Sequence, residues 1–294
     1  MEIFGIPLQA FLGQLMLGLV NGSFYAMLSL GLAVIFGLLG IVNFAHGALY
    51  MIGAYVAWGC LEYAGLNFWV ALLVAPIVVG ALGVLIERTL LKRLYKIDPI
   101  YGLLMTFGLA LIAEGVFRDQ FGVSGQQYPV PELLQGATNL GFMVLPNYRA
   151  FVIVASLVVC LVTWYTIERT RLGSYLRAGT ENPALVQAFG INVPLMVMLT
   201  YAAGAGLAAI AGVLAAPVIQ ITPLMGSNLI IVVFAVVVIG GMGSILGSIL
   251  TGLMLGIIEG LTKVFYPEAS SIVVFVIMAI VLMIRPTGLF GKEM

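Results

Sequence analysis

Two runs of this chain, residues 3–61 and 182–258, contain no Asp, Glu, Lys or Arg. A bilayer span needs about 20 apolar residues, so each run has room for several. Broken at its short polar stretches, the apolar pattern predicts helical spans near 10–37, 43–62, 68–87, 99–117, 150–167, 195–216, 228–241, 244–262 and 270–285. The 228–241 segment is short and the first run could hold one more turn, which gives eight to ten spans. The short alternating segments of a transmembrane barrel are missing. The pattern describes an all-α polytopic membrane protein with residues 1–294 as one transmembrane domain.

The apolar runs are themselves interrupted. The first breaks at GIVNFAHG, where Asn43, Phe44, His46 and Gly47 fall between two spans. The second breaks at Pro217–Asn228 and again at Gly240, Gly241, Met242 and Gly243. Broken backbone at membrane depth survives only when buried in protein or lining a wet cavity. Interrupted helices in both halves of a transporter point to its path. Asn43, Phe44, His46, Gly47, Gly240, Gly241 and Gly243 are therefore the candidate path residues, in discontinuous helices. Individually they also suit tight helix connections, and Asn43 or His46 could simply cap a helix. A ladder of small residues at four-residue spacing, Gly240, Ser244, Ser248, Gly252, Gly256 and Gly260, lines one helix stripe, and Gly204, Ala208, Gly212 and Ala216 repeat it. Such stripes let helices approach closely, within one chain or between two.

One long polar interruption, residues 168–194, encodes a short helix of its own. Asn182 stands at the N-cap, Pro183 at the first helical position and Gly190 just past the end. Leu185, Ala188 and Phe189 share a face at i, i+3, i+4 spacing. So short a helix is not stable alone in water and must dock, on its own chain or on a partner.

Charge orients the chain. Nine of the twelve Lys and Arg residues form three clusters: Arg88, Lys92, Arg93 and Lys96; Arg169, Arg171 and Arg177; Arg285 and Lys292. The positive-inside rule puts these, and the C-terminus, in the cytoplasm. Loop 118–149 then faces outward, loop 168–194 inward, and nine crossings leave the N-terminus outside. That N-terminus lacks the positive region of a secretory signal and reads as the start of the mature protein. Composition agrees: 62% of residues are hydrophobic and 8% charged, against roughly 25% charged in soluble domains.

Candidate chemistry is sparse. No G-x-x-x-x-G-K-[ST] phosphate loop occurs, no Cys/His cluster has metal spacing, and one histidine cannot assemble a catalytic triad. Cys60 and Cys160 read as packing residues. Glu114 and Glu259 fall near span ends, within reach of the interface by snorkelling. No span carries a charge at its centre, which disfavours an ion-coupled pump. The chain reads as a non-enzyme that needs no cofactor or metal, and any uphill transport must draw its energy from elsewhere.

Four stretches then carry a resemblance: GLVNGSFYAMLSLGLAVIFGLLGIVNFAHGALYMIGAYVAW (18–58), RLGSYLRAGTENPALVQAFGINV (171–193), GGMGSILGSILTGLMLGIIEGL (240–261) and RPTGLFG (285–291). In this order they resemble the membrane permease subunits of branched-chain amino-acid ABC importers, the shorter of the two permeases in such systems. The resemblance implies an ABC importer permease fold in a bacterial inner membrane. It implies a second related permease, with a heterodimer favoured, two ATP-binding subunits and a periplasmic amino-acid-binding protein, and no nucleic acid. It assigns loop 168–194 to ATPase docking, with Leu185, Ala188 and Phe189 as anchors, Arg177 and Glu181 as polar rim, and Asn182, Pro183 and Gly190 shaping the helix. The two breaks would line or gate the route, with Asn43 and His46 among the few polar groups able to meet a zwitterion. Urea and short-chain amide permeases share this general plan. A stand-alone secondary transporter or channel is the alternative of another class.

Overall fold

The computed structural model describes residues 2–3, 6–95, 97–141 and 143–291; Lys96 and Lys292 of the basic clusters lie outside them. The nine apolar segments are helices: α1 (Leu8–Leu39), α2 (Ala45–Ala64), α3 (Phe68–Thr89), α4 (Pro99–Phe121), α5 (Asn147–Arg169), then, after α6 (Arg171–Glu181) and α7 (Pro183–Ala188), α8 (Val193–Ala215), α9 (Met225–Gly240), α10 (Ile245–Phe265) and α11 (Val273–Ile284). Strand content among the described residues is two small hairpins, β1 (Glu2–Ile3) with β2 (Ile6–Pro7) and β3 (Ala137–Asn139) with β4 (Val144–Pro146).

Six of these helices, α1, α3, α4, α5, α8 and α10, are long and apolar enough to cross a membrane. α2 has the length but is less apolar, because it runs through the bundle, with Leu49, Tyr50, Met51 and Ala54 buried among its neighbours. α9 has 16 residues and α11 has 12, about 24 and 18 Å of helix against a hydrocarbon core of about 30 Å. α9 is short because it begins inside the bundle: a Cβ added at Gly226, its second residue, would stand 2.2 Å from the Gly47 carbonyl near the start of α2.

The small-residue ladders resolve as contacts within the chain. α10 lies against α1, antiparallel, with a Cβ on Gly256 meeting Gly22 Cα and N at 2.2 Å and one on Gly252 meeting Ala26 N at 2.5 Å. The α8 stripe packs on α1 and α2: a Cβ on Gly204 would meet Ile35 at 2.6 Å, and one on Gly212 would run into the Tyr50 carbonyl. Close backbone approach supplies the dispersion contacts that a lipid solvent does not otherwise favour.

The described residues of the three basic clusters gather at one end of the bundle. There the ends of α1 and α5, the α6 helix, the start of α8 and the Gly243 turn line one small cleft through Gly37, Glu168, Arg177, Thr200 and Gly243. Leu91, between Arg88 and Arg93, packs with Ile35 and Tyr201 at the same end. Just beyond, Tyr95 donates to the buried Glu87 carboxylate at 2.8 Å, and burial followed by that carboxylate holds its phenol well above the ordinary range. Arg118 and Arg149 belong to the opposite end, where Gln126 and Ile221 pair backbone to backbone. Lys263, near the end of α10, joins them because α10 runs antiparallel to α1.

Candidate translocation cleft and docking helix

Gly40 ends α1 at φ 64°, and the chain re-enters the bundle as α2. Helix α4 clamps the connection. Thr106 Oγ1 accepts from Phe44 N at 3.1 Å and donates toward the carbonyls of Leu103 and Val42 at 3.0 and 3.3 Å. A Cβ on Gly102 would meet Ile41 at 2.6 Å, so α4 approaches through its glycine.

Beyond this clamp a cleft of about 160 Å³ opens between α2, α4 and the start of α9. Phe44, Met51, Phe107 and Ile230 give it apolar walls, and Gly47 lies against Gly226 at its base. Phe44 also packs on Phe107 and Phe234, with ring centroids 6.1 and 5.9 Å apart. The polar feature is Glu114, whose carboxylate accepts from Ser227 Oγ at 2.6 Å and pairs with Arg118 at 2.8 Å. By sequence Glu114 falls near a span end, within reach of the interface by snorkelling. The structure instead turns it onto the start of α9, seven residues before the end of α4. The signal available in the sequence was the Glu114–Arg118 pair at i, i+4 spacing.

The seven candidate path residues divide into three groups. Phe44 and Gly47 line the cleft. Asn43 and His46 are buried on the other side of the same backbone and do not line this cleft. Asn43 Nδ2 donates to Tyr201 Oη at 3.1 Å, and His46 Nε2 lies 3.1 Å from the Leu28 carbonyl, so the two side chains fasten the start of α2 to α8 and α1. Gly240, Gly241 and Gly243 lie apart from the cleft, at the basic end. A Cβ on Gly240 would meet Gly247 at 2.7 Å, one on Gly241 (φ 98°) would run into the Gly291 backbone, and one on Gly243 (φ 84°) would meet Gly37 Cα at 3.3 Å. The C-terminal RPTGLFG segment reaches this turn through Leu289 N to Ile239 O and Phe290 N to Gly240 O, at 2.8 and 3.2 Å. These glycines let a tight helix turn accept a backbone clamp.

A fastening role for His46 has a measurable consequence. Gln can place an N–H near the position of Nε2, so His46→Gln should retain most uptake with an unchanged pH profile. Loss of uptake together with a new pH dependence would make the imidazole a titrating participant.

Loop 168–194 holds two helices where the sequence suggested one. Gly173 and Gly179, weak helix formers, hide α6 in the sequence, and Gly173 is required there by contact. A Cβ on Gly173 would run into the Ile167 carbonyl, and one on Gly179 would meet Met196 at 2.8 Å. α7 begins at Pro183, with Asn182 accepting from Leu185 N at 3.0 Å, and Gly190 closes the loop at φ 82°. Val186 turns inward and is 6% exposed, whereas Leu185 and Phe189 are 54% and 77% exposed, and Ala188 is exposed beside them. Arg177 folds back on Ile167 O and Glu168, at 3.2 and 3.4 Å, while Glu181 is exposed.

Residues 14–282 match the family model described as branched-chain amino acid transport system / permease component. The chain belongs to this permease family. It is 31% identical to the high-affinity branched-chain amino acid transport system permease proteins BraD of Pseudomonas aeruginosa and LivH of Escherichia coli K12, over 96% of both chains in each case. LivM of the same E. coli strain is 26% identical over 90% of this chain but only 67% of its own length. The chain therefore corresponds to the shorter permease. No solved structure matches it.

Proposed function

We propose that this permease is one membrane subunit of an ATP-driven importer that carries branched-chain amino acids handed to it by an extracytoplasmic binding protein. ATP is hydrolysed by separate subunits. The observation that carries this reading is α7: Leu185, Ala188 and Phe189 stand uncovered by their own chain at the basic end, in the geometry of a helix laid into a partner's groove. The basic end faces the cytoplasm by the positive-inside rule, with the C-terminus there, the N-terminus opposite, and the whole in a bacterial inner membrane. A second permease related to LivM completes the core, since LivH and LivM relatives both resemble this chain. Phe44 and Gly47 lie on the route, Asn43 and His46 position the helix that carries them, and Gly240, Gly241 and Gly243 brace the end that receives movement from the ATPases. Arg177 and Glu181 form a polar rim to the α7 contact, worth less than its apolar anchors.

Reconstituted with both permeases, the ATP-binding subunits and the binding protein, vesicles should accumulate leucine only with ATP. Valine and isoleucine should compete, and urea and acetamide should not. Accumulation driven by an ion gradient without ATP would instead identify a secondary transporter, and competition by urea would move the chain to the urea and amide branch.

A further inference from the structure

We propose that the cleft between α2, α4 and α9 is a binding site for the amino acid itself, its α-ammonium on the Glu114 carboxylate and its branched side chain among Phe44, Met51, Phe107 and Ile230. This rests on the importer reading and adds to it a place where the solute pauses. Size is the first argument. The cleft measures about 160 Å³, and an apolar cavity of about 150 Å³ holds a molecule the size of benzene, comparable with a four-carbon branched side chain. The space exists because Gly47, Ala48, Ala110 and Gly226 contribute almost no side-chain bulk to its walls.

Charge is the second argument. A carboxylate in a membrane helix is costly and is retained when it has a task. Glu114 takes one hydrogen bond on each oxygen, from Arg118 on one and Ser227 on the other, and a carboxylate offers about four acceptor sites. It can accept an ammonium without giving up either contact. Arg118, one turn closer to the outer end of α4 and outside the cleft lining, holds that carboxylate in place through one of its five N–H donors. The carboxylate thus matches the α-ammonium of an amino acid, and the apolar walls match its side chain. Phe44, packed on Phe107 and Phe234, closes the cleft toward the basic end.

The test uses vesicles holding the complete importer. Glu114→Gln should lower the leucine moved per ATP hydrolysed at least about tenfold, as expected for one lost charge-assisted contact, and Ser227→Ala should lower it less. Ala110→Phe, which fills the cleft, should abolish leucine movement in particles that still contain the ATP-binding subunits. Wild-type ratios in both Glu114→Gln and Ala110→Phe overturn the site and leave the importer reading standing. Absence of ATP-driven uptake in wild-type vesicles overturns the importer reading and the site with it. If Ala110→Phe does not assemble, the ratios of the Glu114→Gln and Ser227→Ala variants decide.

Discussion

Phe189→Asp should abolish ATP-driven uptake while the chain folds and reaches the membrane as before. Phe189 is 77% exposed at the end of α7, so its own subunit loses little when the ring is removed. The fastening of α7 lies elsewhere, in the Asn182 cap and in Val186, which is turned inward. An apolar groove that receives Phe189 would have to desolvate a carboxylate, at a cost of several kcal/mol. At ~3 kcal/mol the affinity for the ATPase falls by more than a hundredfold. Leu185→Asp should behave alike, because Leu185 lies one turn away on the same face. The check is leucine uptake normalised to the amount of permease in the membrane. Normal uptake in either variant would remove α7 from the coupling route.

Gly256→Leu should break the seam between α1 and α10. A Cβ there meets Gly22 Cα and N at 2.2 Å and the Gly18 carbonyl at 2.6 Å. All three atoms are backbone, so no side chain can rotate away, and α1 and α10 must separate along the whole seam. Overpacking ordinarily costs about 1–3 kcal/mol, and a backbone collision lies at or above the top of that range. Gly13→Leu gives the control, since Gly13 lies on the same α1 helix with nothing within 4 Å of its added Cβ. In size-exclusion profiles of detergent extracts, Gly256→Leu should lose its monodisperse peak and Gly13→Leu should keep it. Equal peaks would mean that the seam is looser than its geometry.

Much of this architecture is legible in the sequence because a bilayer imposes simple rules. Nine apolar segments become nine helices, and the 3.6-residue geometry turns four-residue spacing of Gly252, Gly256 and Gly260 into a seam. The α7 cap is equally plain, since Asn182, Pro183 and Gly190 act locally. What the sequence hides depends on tertiary contact. α6 looks like loop because Gly173 and Gly179 lower helix propensity, and only the Ile167 carbonyl beside it explains why glycine stands at 173. Spacing likewise cannot say that His46 faces Leu28 while Gly47 faces the cleft, since adjacent residues at a helix start point in different directions. Glu114 is the largest gap. Its role depends on Ser227, more than a hundred residues away, at the start of a helix that begins inside the bundle.

The central claim is that α7 carries the subunit's link to its energy source. It is tested most directly by purifying the tagged permease from its native membrane in mild detergent and weighing its stoichiometric partners by mass spectrometry, for wild type and Phe189→Asp side by side. The account predicts one related permease and two ATP-binding subunits with the wild type, and the related permease without the ATP-binding subunits in the variant. Recovery of the ATP-binding subunits in equal amount with both, or with neither while the permease remains a stable oligomer, would contradict it.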